Sequence, residues 1–128
     1  TKLKLNNSDF IFATRYEENS GSEDDTFLTK LGNKIFTLLG KLLFRLNLTD
    51  ILYTYVIGSV EQYKKLNINS LDFGFCVELP IMAKKKSMSL LTFPSYERKR
   101  IAGIKKVNEF RDGFLILFKM ISLIFRKK

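Results

Sequence analysis

The stretch Asp9-Phe-Ile-Phe-Ala-Thr-Arg-Tyr16 decides how the rest of this chain is read. Phe10 to Ala13 form a compact apolar run, short enough for a buried strand, and a polar Thr14-Arg15 pair closes it. The pattern predicts a strand whose end points Arg15 into a cleft. Just downstream, Asn19-Ser-Gly-Ser-Glu-Asp-Asp25 is rich in turn formers and acids. It reads as a mobile loop running into a helix start, with Asp24, Asp25 or Thr26 as the cap.

From Phe27 to Leu46 apolar residues fall at 28, 31, 35, 38, 39, 42 and 46, one face of a helix, while Lys30, Lys34, Lys41 and Arg45 recur on another. This is a basic amphipathic helix, its leucine face either packed on the sheet or inserted at a membrane surface. Leu48 to Ile57 has the Leu, Ile, Tyr and Thr content of a strand. Val60 to Leu66 reads as a short helix, and a further helix follows Phe75, with Pro80 in its first turns or kinking it. Ser89 to Pro94 is a second short strand, and Val107 to Arg126 a last helix, apolar over much of its circumference.

The bulk composition, 128 residues with 45% apolar, predicts one globular domain. Its net charge of +9 is unevenly placed: residues 1–26 hold three Lys or Arg against six Asp or Glu, and residues 27–128 nineteen against seven. One cysteine, Cys76, and no histidine exclude an internal disulfide, a zinc cluster and a histidine base, and fit a reducing, cytosolic setting. Cys76 itself reads as a small core residue. No run reaches the ~20 apolar residues that cross a bilayer. The longest, Phe114 to Phe125, is broken by Lys119 and closed by Arg126-Lys-Lys128, and is suited to lying at a membrane surface. The start at Thr1, without Met or a signal-peptide pattern, suggests a chain cut from something longer.

The most basic segment is Ser95-Tyr-Glu-Arg-Lys-Arg-Ile-Ala-Gly-Ile-Lys-Lys-Val-Asn-Glu-Phe-Arg-Asp-Gly113, with six cationic side chains. Gly103, flanked by Arg98, Arg100 and Lys106, would let the backbone fold over a phosphate; the plain alternative is a solvated charged loop. In order along the chain, Asp9 to Tyr16 looks like "DFVxGSRY", Leu31-Gly-Asn33 like "LGN", Leu48-Thr-Asp50 like "xTD", Phe73 to Glu78 like "DGFEIE", and Ser95 to Gly113 like "YxxRxxGxSKLNxxRDG". Together these resemble the C-terminal half of a family 2 glycosyltransferase of the polyprenyl-phosphate, dolichol-phosphate mannosyltransferase-like type. Departures are Tyr-Val-Ile-Gly at 55–58 for "GFR", Cys76 for an acid, and Lys105 for Ser.

The resemblance implies an α/β chain, the C-terminal part of a GT-A, Rossmann-like fold with few short strands and amphipathic helices. Residues 1–128 would be its acceptor-side part and 107–128 a membrane-facing helix. It implies transfer of a sugar from a nucleotide-sugar donor to a polyprenyl-phosphate acceptor at the cytoplasmic face of a membrane. A divalent metal, Mg or Mn, would be held by an Asp-x-Asp pair in an earlier segment; no Asp-x-Asp occurs here, so this segment alone is expected to be inactive. A phosphate oxygen is already ionised and needs little help from a base. The difficulty is to bring two anions together and to stabilise the departing pyrophosphate, which guanidinium and ammonium groups do.

Arg15 is thus a candidate clamp for the acceptor phosphate, or else a surface arginine paired with Glu17 or Glu18. Arg100 and Lys106 are candidate contacts from a closing loop that also carries Arg98 and Gly103. Asp50 would orient an arginine, act as a base, or cap a turn through its side chain. Glu78 reads as structural, a partner to one of these arginines. Two rival readings stand beside this one. A nucleic-acid module agrees with the charge, but the aromatic residues sit within apolar runs and no recognition motif is present. A polysaccharide hydroxyl acceptor would need a general base and would raise the importance of Asp50.

Overall fold

The computed structural model describes residues 8–103 and 107–127. It is a mixed α/β arrangement with a small mixed sheet and four helices. The run Phe10–Thr14 forms strand β1, buried along its whole length as its uninterrupted apolar sequence requires. A short bridge strand β2 (Gly21–Ser22), helix α1 (Phe27–Phe44), β3 (Val56–Gly58), α2 (Val60–Lys65) and α3 (Phe75–Lys85) follow, then β4 (Leu90–Pro94), β5 (Tyr96–Glu97) and α4 (Glu109–Phe125). In the three-stranded sheet β1 lies in the middle, antiparallel to β3 and parallel to β4.

Gly58 faces Phe10 across the β1–β3 pair, and a Cβ there would stand 2.3 Å from Cδ1 of the Phe10 ring. Phe10 is a buried core residue whose ring would have to shift to admit a methyl group. Gly58→Ala is therefore expected to cost about 1–3 kcal/mol through overpacking, read as a lower denaturant midpoint at unchanged m-value.

The core is built by Phe10 and Phe12, by Leu46, Leu48 and Ile51 after α1, by α3, and by Ile116, Met120 and Leu123 of α4. Helix α3 is buried without interruption from Cys76 to Ala83, as suits a helix apolar all round, and Pro80 lies in its second turn. Glu78 is its one buried charge. It accepts from the amides of Asn69 and Ser70, pairs with Lys119 at 3.1 Å, and binds Arg126. Its partners are therefore Lys119 of α4 and Arg126 just beyond it, and not the arginines of the basic segment.

Three expectations are corrected. Residues 48–55 are not a strand; only Val56–Gly58 pairs. The reason lies in α1, where Thr37 Oγ1 accepts from the Ile51 amide at 3.2 Å and Asn33 Oδ1 from the Leu52 amide at 3.0 Å, taking donors that a ladder would have used. The acidic segment 19–25 is not a free loop: β2 pairs in parallel with β5, and Tyr96 donates to Glu23. The third correction concerns α1, which starts on a Thr26–Thr29 capping box and ends one residue before Arg45 in the left-handed region. Its buried residues are Asn33 and Gly40, while Leu31, Ile35, Leu38 and Leu42 face outward.

Among the described residues no helix is long and apolar enough to cross a membrane. The outward face of α4 carries Phe110, Phe114, Phe118 and Phe125, each at least 60% exposed.

Candidate functional site

Arg15 leaves the end of β1 and is met by three carboxylates from three separate segments. Its Nε donates to Asp50 Oδ2 at 2.7 Å and its Nη2 to Asp50 Oδ1 at 3.0 Å, a bidentate fork. Its Nη1 donates to Glu97 of β5 at 2.9 Å and to Asp25 at 3.2 Å. Four of its five N–H donors are thereby engaged. The guanidinium also lies 4.4 Å from the centroid of the Tyr53 ring. Burial works against this charge, but the hydrogen bond and charge of Asp50, with Glu97 and Asp25, outweigh it and raise the Arg15 pKa above its usual value.

Asp50 has no accessible side-chain surface. Besides Arg15 it accepts from the Arg15 amide at 3.1 Å and from Asn33 Nδ2 at 2.7 Å. Of the roles read for it, this geometry matches orientation of an arginine. Both oxygens are occupied, so neither is open to take a proton from a substrate, and Asp50 is not poised as a catalytic base. Glu17 and Glu18 are not the partners of Arg15; Glu17 instead accepts from Thr49 and Thr92. Tyr16 donates to Asp25, and burial followed by that hydrogen bond pushes its phenol pKa up.

Arg15 and Arg100 line one cleft of about 370 Å³, although they stand far apart in the chain. Arg100 is much the looser of the two: its side chain is 40% exposed and held by Asp24 through a single 3.2 Å contact. Its position answers part of the basic segment's charge from within the chain, because the acidic segment 23–25 lies beside it. Arg98 is exposed and does not line the cleft, and Gly103 has φ +89°, the left-handed region where glycine is favoured. Lys106 lies outside the described residues.

The lining is more acidic than the sequence suggested. Asp24, Asp25, Asp72, Glu97 and Asp112 outnumber Arg15 and Arg100. Asp72 and Asp112 serve the backbone, accepting from the amides of Gly74 and Asn108 at the starts of α3 and α4. The others attend the two arginines. Among the described residues no group of three or more His, Cys, Asp or Glu is placed to hold a metal ion. Cys76 also lines the cleft, but burial pushes its thiol up to about 12, and its Sγ contacts the Phe73 carbonyl. It is a core residue and not a nucleophile.

The cleft adjoins a groove between α1 and α4: Thr29, Leu52, Val107, Asp112 and Ile116 line both, and the further walls of the groove include Leu31, Ile35 and Phe110.

The sequence reading missed Asp25, Glu97 and Asn33. Only Asn33 left a signal, because it shares a helical face with Phe36, Thr37 and Gly40, opposite the leucines. Comparison with protein-family models, with curated proteins and with solved structures finds no match for this chain.

Proposed function

We propose that this chain is the acceptor-side part of a GT-A glycosyltransferase, one that moves a sugar from a nucleotide-sugar onto a polyprenyl phosphate at a membrane surface. The observation that carries the reading is that a cleft lined by Arg15 and Arg100 shares lining residues with a largely apolar groove between α1 and α4. An acceptor with a phosphate head and a prenyl tail needs both. A polysaccharide acceptor would not need the apolar groove, and both oxygens of Asp50 are occupied by Arg15 and Asn33.

In this reading the two guanidiniums have different tasks. Arg15, its charge already matched by Asp50, Asp25 and Glu97, is a rigid post that shapes the cleft at the strand end. Arg100 exchanges one exposed carboxylate for the incoming phosphate, at little cost because an exposed pair is worth about 0–1 kcal/mol. The donor and its divalent metal are bound by residues of another segment, and this chain supplies electrostatic attraction and orientation for the acceptor.

Arg100→Ala tests this without disturbing the fold. Its melting temperature should stay close to that of the parent chain, since one exposed ion pair is lost. Affinity for a short-chain polyprenyl phosphate in detergent micelles should fall roughly tenfold or more, the loss of one charge-assisted phosphate contact. Equal binding of the phosphorylated lipid and the matching polyprenol by the parent chain would exclude the reading.

A further inference from the structure

A second groove, of about 620 Å³, runs along another face of α1 and shares no lining residue with the cleft. Lys30, Lys34, Leu38 and Lys41 of α1 line it together with Tyr16, Leu48 and Thr49. All three lysines are exposed, and none is ion-paired among the described residues. Helix α1 contains no Asp or Glu, so nothing on it offsets the repulsion of Lys30 and Lys34 one turn apart.

Beside this row Leu38 and Leu42 point into solvent, 55% and 67% exposed. The core-facing side of α1 is already made by Asn33, Phe36, Leu39, Gly40 and Phe44, so these outward leucines are surplus to the core. The occupant of this face must therefore be anionic and apolar at once. A soluble phosphate would satisfy the lysines and leave the leucines wet. A second copy of the chain would cover the leucines but set one lysine row near another, on a protein whose net charge is already +9.

We infer that this face of α1 is a seat for anionic lipid. Lys30, Lys34 and Lys41 hold headgroup phosphates in the groove, and Leu38 and Leu42 enter the boundary between headgroups and acyl chains. The seat lies outside the cleft, so it stands whether or not the sugar-transfer reading does.

The test is co-sedimentation of the full chain with phosphatidylcholine vesicles, alone and with about one third phosphatidylglycerol. Binding is expected to the anionic vesicles only, weakening as salt is raised. Lys30→Gln, Lys34→Gln and Lys41→Gln together should reduce affinity about 100-fold, and Leu38→Ser with Leu42→Ser should reduce it roughly tenfold or more. Circular dichroism checks the fold of each variant. Lys34→Gln alone, expected to lose about fivefold, keeps the test readable if the triple variant misfolds.

Equal binding to neutral vesicles, or a triple variant that binds like the parent, overturns the inference. So does micromolar binding of inorganic phosphate at these lysines, which would assign the groove to a soluble ligand. Light scattering that shows a dimer lost with Leu38→Ser and Leu42→Ser would assign the face to a second copy instead.

Discussion

Arg15→Ala lowers the unfolding free energy by about 3–5 kcal/mol, the range for breaking a buried ion pair from one side. The side chain is 9% exposed, and its removal leaves Asp50, Asp25 and Glu97 facing one another without a cation. Asp50→Ala strands one guanidinium that still has Asp25 and Glu97, so the loss should be the smaller of the two. Urea titrations of both single variants and the double variant measure this. A coupling energy of about 1–3 kcal/mol between the two sites is expected. A loss below about 1 kcal/mol for Arg15→Ala would mean that the cluster is solvated and the carboxylates do not depend on it.

This result bears directly on how function is tested. If Arg15→Ala unfolds a large share of the protein, loss of transfer in that variant says nothing about phosphate binding. The contrast between Asp50→Asn and Arg15→Ala, attractive from the sequence as a way to tell a hydroxyl acceptor from a phosphate one, is compromised because the two residues form one pair. Arg100, with its single exposed partner, separates binding from stability.

Glu78→Gln is the second large effect, about 3 kcal/mol at neutral pH. Glu78 is wholly buried between α3 and the residues that tie down α4. Burial alone would raise its pKa, but hydrogen bonds from Ser70, the Asn69 amide and Lys119 outweigh burial and bring it down to about 2. Because the folded value is depressed, the stabilisation is fully present above the usual value of 4.5 and is lost as pH falls from there towards about 2. The parent chain should therefore lose stability more steeply than Glu78→Gln across that window, as followed by thermal melts in a pH series. Parallel pH profiles for the two would remove Glu78 from this role. Since Lys119 and Arg126 bind the same carboxylate, the variant should also loosen α4 first, seen as faster amide exchange near Met120 and Leu123.

Much of the element order was legible. The apolar run at Phe10, a helix start within Asp24 to Thr26, the helices after Val60 and Phe75, and the Phe-rich last helix each announce themselves within a few residues. The segment 48–57 was misread because Leu, Ile and Tyr suit a buried turn as well as a strand. What separates the two is the destination of the backbone donors, which here go to Asn33 and Thr37. The site was half legible: Arg15 and Arg100 do line one cleft, but the carboxylates that neutralise them belong to a segment read as a mobile loop and to β5.

Local sequence was enough for the helices and the central strand, because periodicity and capping act over one or two turns of chain. It was also enough to exclude an internal disulfide and a histidine base among these 128 residues, which hold one cysteine and no histidine. Only the tertiary structure decided that the leucine face of α1 looks outward and that Arg15 is already neutralised. Both depend on pairings across long stretches of chain, 35 residues from Arg15 to Asp50 and 82 to Glu97. No local pattern records such a pairing, because its energy appears only when the sheet brings the segments together.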